Sequence, residues 1–142
     1  MIGKYPAKLD DKNRLFVPAK LRAELGSDFY VTLGVNGGRS CLTVYTEAEW
    51  QRLTDNYNAL SIYQRSGPIS LIFNNAVECT PDKQFRFMLS SNLTKYAKID
   101  RDVMIVGRAG QAEIWAAEEY EAYEAENLSA EKLLASLEVI GL

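Results

Sequence analysis

Asp10-Asp-Lys-Asn-Arg14-Leu-Phe-Val17 and Asp82-Lys-Gln-Phe-Arg86-Phe-Met-Leu89 are one pattern written twice, 72 residues apart. Each has an aspartate four residues before an arginine and an apolar run after it. Two further matches follow in the same order. Asp28-Phe-Tyr-Val-Thr-Leu33 aligns with Asp102-Val-Met-Ile-Val-Gly107, and Leu42–Trp50 aligns with Ala112–Tyr120. Three ordered matches, with small loop insertions between them, describe a duplicated unit. The repeats are assigned to residues 1–60 and 78–125, joined by a helical segment over 61–77 and followed by a C-terminal helix over 126–142.

Each unit reads as a loop, a short strand, a short helix, two strands and a longer helix. In the first copy Arg14–Val17 is an apolar strand, Pro18 suits the first position of a helix running to Leu25, and Gly26 suits its cap. Phe29–Leu33 and Cys41–Tyr45 are rich in β-branched and aromatic residues, with Gly34-Val-Asn-Gly-Gly38 as the loop between them. Thr46-Glu-Ala-Glu49 has the form of a capping box, and Trp50, Leu53, Tyr57 and Leu60 make one apolar stripe behind it. In the second copy Ser90 stands in place of Pro18 and Ala116 in place of Thr46, so weaker helix starts are expected there. Pro68–Ala76 predicts another short helix. Ser129, a Leu128–Leu133 staple and Gly141 frame a last one over Ala130–Ile140. The expected class is α+β, with the strands of both copies in a small closed barrel and the helices around it.

The 142 residues are 47% apolar and 25% charged, as in an ordinary globular chain that folds without staples. No segment has the length of apolar sequence a membrane helix needs, so a cytoplasmic protein without membrane partners is expected. There is no histidine, and Cys41 and Cys79 are the only cysteines. That leaves no Cys/His zinc set and no common nucleophile–base pair, so no metal, no cofactor, no small-molecule substrate and no enzyme activity are expected. The two cysteines read as small buried apolar residues.

The net charge of −3 argues against nucleic acid until its distribution is considered. Residues 1–22 hold six basic residues (Lys4, Lys8, Lys12, Arg14, Lys20, Arg22) against Asp10 and Asp11, whereas residues 113–142 hold eight glutamates against Lys132. The chain therefore has a basic end and an acidic end. Within the loops, a carboxylate four residues before an arginine can accept backbone N–H groups and a guanidinium together, fixing the arginine. Such an arginine can present its fork to guanine or to a phosphate, with the lysine of each loop adding charge; the same bonds also suit a turn that merely closes a β-element.

Met1-Ile-Gly3 with Leu9-Asp-Asp-Lys-Asn-Arg-Leu-Phe-Val-Pro-Ala-Lys-Leu-Arg22 resembles the opening of the MraZ family, Val44-Tyr45-x4-Trp50 resembles its strand-to-helix junction, and Glu78–Arg86 with Glu113-Ile-Trp115 resembles its second half. The resemblance covers about residues 1–123. It implies a bacterial DNA-binding transcriptional regulator of the division and cell-wall gene cluster, associated with the nucleoid and built on two AbrB-like swapped-hairpin repeats. It also implies a ring homo-oligomer acting on direct repeats in double-stranded promoter DNA. Carried over residue by residue, the DNA-binding set is Lys12, Asn13, Arg14, Lys83, Gln84 and Arg86, oriented by Asp10 and Asp82, with Lys4, Lys8, Lys20 and Arg22 as auxiliary cations. Asn13 and Phe85 stand where the family has glycine. Because phenylalanine resists positive φ, the second loop is expected to be reshaped and Arg86 to matter less than Arg14. The competing reading is a ring-forming interaction protein without DNA binding, recognised through its acidic C-terminal helices.

Overall fold

Eight strands and six α-helices appear in the computed structural model, which describes residues 1–142. In chain order the strands are β1 (Lys4–Lys8), β2 (Arg14–Phe16), β3 (Phe29–Asn36), β4 (Arg39–Thr46), β5 (Val77–Cys79), β6 (Arg86–Met88), β7 (Asp102–Arg108) and β8 (Gln111–Ala116). The helices are α1 (Arg22–Leu25), α2 (Glu47–Asn58), α3 (Pro68–Asn74), α4 (Ser91–Tyr96), α5 (Ala117–Asn127) and α6 (Ala130–Val139). Both the mixed class and the duplication are present.

The repeats exchange strands. Six strands form an antiparallel sheet in the order β1-β7-β8-β4-β3-β5, and β2 pairs with β6 in a separate two-stranded ribbon. The first strand of each repeat therefore hydrogen-bonds to the other repeat's β-hairpin in a pseudo-twofold pattern: β1 lies beside β7 and β5 beside β3. Thr43 and Glu113, equivalent in the two copies, face each other where β4 meets β8. The expected closed barrel is not formed, because the order ends at β1 and β5 and the ribbon is a sheet of its own.

One core serves both halves. Leu15, Leu21, Phe29, Val31 and Leu42 from the first copy pack with Phe87, Leu89, Leu93, Val103 and Ile114 from the second. On the other face of β3 and β4, Trp50 stacks on Tyr30 with centroids 4.9 Å apart and also meets Phe73 of α3. Under α5, Trp115 plays the part that Tyr45 plays under α2 and packs on Tyr120 and Tyr123. The aromatic stripe of α2 is thus a packing surface, and Leu60 falls beyond the helix end. Cys41 and Cys79 are buried, and desolvation, with Glu113 beside the first and Glu78 beside the second, pushes both thiols up to about 12.

Several local expectations change. Gly34 lies inside β3, and the β3–β4 hairpin closes through Gly37 and Gly38 alone, both with positive φ as a two-residue turn requires. Pro18 is extended (ψ 132°) and precedes a 3₁₀ turn over Ala19–Leu21, so the Pro18–Leu25 helix is split. Ser90 accepts the N–H of Leu93, so α4 starts with a better cap than its counterpart. Thr46 accepts from Glu49 N–H, but the Glu49 carboxylate turns to Arg52 and the box is half made. Ala116 provides no side-chain cap to α5, as expected. Ser129 caps α6, and Gly141 and Leu142 close it with bonds to Glu138 and Leu137; Leu128 and Leu133 are exposed.

Candidate nucleic-acid interface

The two Asp-x-x-x-Arg loops fold alike. In the first, Asp10 Oδ1 accepts the backbone N–H groups of Lys12 and Arg14, each at 2.9 Å, and Oδ2 accepts Arg14 Nε at 2.7 Å. In the second, Asp82 Oδ1 accepts Gln84 N–H at 2.9 Å and Arg86 N–H at 3.0 Å, and Oδ2 accepts Arg86 Nε at 2.9 Å. Each carboxylate locks its turn and its arginine through the same three bonds, a charge-assisted arrangement. At Asp10, desolvation opposes ionisation, but the backbone and guanidinium of Arg14 outweigh it and hold the carboxyl below its ordinary range. At Asp82 the backbone N–H of Arg86 leads the same downward shift. Nε is the only guanidinium atom so engaged, and the terminal nitrogens of each fork make no hydrogen bond within the chain.

The expectation of a reshaped second loop is overturned. Asn13 and Phe85 both adopt positive φ, 57° and 62°, and the bonding around them is matched. Tertiary packing overrides the reluctance of phenylalanine. Val17 N–H donates to Phe85 O at 2.8 Å, and the Arg22 guanidinium carbon lies 3.8 Å from the centre of the Phe85 ring. Arg22 is itself anchored on Val17 O. It therefore holds the second loop rather than standing free on the surface. Arg22→Ala should destabilise the fold by about 1–2 kcal/mol by removing this cation–π contact, measured by denaturant unfolding, whereas Arg22→Lys should retain part of it.

Ribbon β2–β6 brings the loops together. Its register sets Arg14 beside Met88 and Phe16 beside Arg86, with Leu15 and Phe87 turned into the core between them. Strand alternation therefore puts both arginines on one outward face. Around it, Lys12, Lys83, Asn13 and Gln84 are exposed. The lysines are not equivalent: Lys12 matches Gln84, and Lys83 matches Asp11. Lys8 and Lys20 line a shallow groove beside Phe16 that contains no carboxylate. Lys4 borders the same groove but donates to Glu124 at 2.8 Å, and Lys8 is 3.8 Å from Asp102, leaving Lys20 as the one auxiliary lysine of the three without an ion-pair partner. Phe16 and Met88, absent from the candidates drawn from sequence, share this face. Their signal was their place two residues beyond each arginine on a strand.

A family model described as "MraZ protein, putative antitoxin-like" matches the chain twice, over residues 1–66 and 72–137. The chain belongs to the MraZ family. The second match extends past the resemblance seen in the sequence and takes in most of α6. Among curated MraZ proteins, the "Transcriptional regulator MraZ" of Clostridium tetani is 34% identical over 143 residues, 99% of each chain. That of Carboxydothermus hydrogenoformans is 38% identical over 124 residues, 86% of this chain and 85% of its own. MraZ is a family of transcriptional regulators, not of enzymes, and membership supports a DNA-binding regulator in general. No helix is long and apolar enough to cross a membrane.

Proposed function

We propose that this chain binds promoter DNA upstream of the division and cell-wall gene cluster as a sequence-specific regulator, with the Arg14 and Arg86 forks on guanine edges. The observation that carries the reading is the pair of identically bonded Asp–Arg loops on one outward face. Lys12, Lys83 and Lys20 add phosphate contacts, and Asn13 and Gln84 stand at the loop tips within reach of the same duplex. Several copies in a ring, each on an AbrB-like swapped-hairpin scaffold, engage successive direct repeats, so that later contacts are effectively intramolecular and the weak affinity of one acidic protomer is multiplied.

The acidic C-terminal end favours a second reading, a ring-forming interaction module without DNA binding. Leu133, Leu134, Leu137 and Ile140 of the last helical segment are exposed among glutamates, as in surfaces that meet other proteins. Fluorescence anisotropy separates the two. With labelled DNA from upstream of the protein's own gene, the regulator reading predicts binding that exceeds a scrambled duplex and weakens steeply with salt. Equal, negligible binding to both duplexes, with assembly intact by light scattering, transfers the assignment to the interaction module.

A further inference from the structure

The ribbon face contains more than arginine. Phe16 is 57% exposed and Met88 59% exposed, although both lie on strands whose alternate residues, Leu15 and Phe87, are buried. Two large apolar side chains held open to solvent on a rigid ribbon suit a surface that a ligand covers. The register makes a small checkerboard, Arg14 beside Met88 and Arg86 beside Phe16, so each apolar group is a direct cross-strand neighbour of a cationic fork. A ligand that fits this face offers hydrogen-bond acceptors and small apolar groups side by side, within an anionic frame that matches Lys12, Lys83 and Lys20.

The major groove of DNA has this chemistry: guanine O6 and N7 accept, the thymine 5-methyl is apolar, and phosphates flank both. A two-stranded ribbon has the width to enter it. Phosphates alone would leave Phe16 and Met88 uncovered. We propose that Phe16 and Met88 are specificity-determining residues that read thymine 5-methyl groups next to the guanines held by Arg86 and Arg14. This rests on the DNA-binding reading above and adds to it a sequence preference the arginines alone do not supply.

The test uses full-length protein and duplex DNA from upstream of its own gene, made with thymine or with deoxyuracil throughout, which removes the methyl and keeps every hydrogen-bonding group. Wild type should bind the deoxyuracil duplex about tenfold more weakly, the scale expected for a few buried methyl groups. The Phe16→Ser/Met88→Ser variant should lose about as much affinity for the thymine duplex and bind the two duplexes almost equally. Both residues are exposed, so the variant should keep the wild-type melting profile. Equal binding of both duplexes by wild type, or an undiminished thymine preference in the variant, overturns the proposal while leaving DNA binding in place. A fall in the variant's assembly size by light scattering overturns it too, since the pair would then seal a contact between copies. Absence of any preference for native over scrambled DNA in wild type removes the DNA-binding reading and this inference together.

Discussion

Arg14→Ala is expected to lower affinity for the upstream DNA by about 100-fold or more, because a bidentate guanine contact is worth about 1–3 kcal/mol and, in the proposed multivalent assembly, the loss recurs on every copy that touches a repeat. Anisotropy with the native duplex measures it. Arg14 lies on an outward face and fills no core position, so light scattering should show an unchanged assembly. Arg14→Lys should not rescue binding, since an ammonium cannot reproduce a fork fixed at Nε by Asp10. The matched second loop extends the expectation to Arg86→Ala, with a comparable loss. Near-normal binding by that variant would show that the two loops, alike in bonding, differ in use.

Glu113→Ala is expected to destabilise the fold by about 3 kcal/mol, lowering the melting temperature by about 10 °C. Glu113 is 2% exposed and is met by Trp115 Nε1 at 3.1 Å, Arg108 at 3.0 Å and Asn36 at 3.2 Å. Alanine would leave the indole N–H of fully buried Trp115 without an acceptor, and removing one member of a buried charged network costs more than its net contribution. Arg108 is more exposed and can turn to water, which bounds the effect. Glu113→Gln keeps an acceptor for Trp115 and should cost less. Differential scanning calorimetry decides; a change of only a degree or two in the alanine variant would show that the network does not stabilise the sheet.

Much of the fold could be read from the duplication. Asp10 and Asp82 located the loops, and the apolar runs after Arg14 and Arg86 located β2 and β6. That these two short strands pair with each other could not be read, since three-residue strands have no register signal and the partner is set by the shared core around Leu15 and Phe87. The closed barrel failed for the same reason: strand count was legible, but closure depends on hydrogen bonding between distant edges. Glu113 was counted with the acidic tail because sequence shows charge but not burial. Phe85 misled through a sound local rule, overridden by Arg22 from 63 positions away in the other repeat. The orienting roles of Asp10 and Asp82 were legible because an aspartate four residues before an arginine in a tight turn can bond the turn and the guanidinium together.

Guanine-N7 methylation interference on the upstream DNA tests most directly whether the Asp-held arginine forks read the major groove. Premethylated duplexes that the wild-type protein leaves unbound should carry the modification at guanines recurring once per direct repeat, and Arg14→Ala should show no such pattern. Binding that tolerates methylation at every guanine would contradict the assignment of Arg14 and Arg86 to base edges and reduce the loops to phosphate contacts.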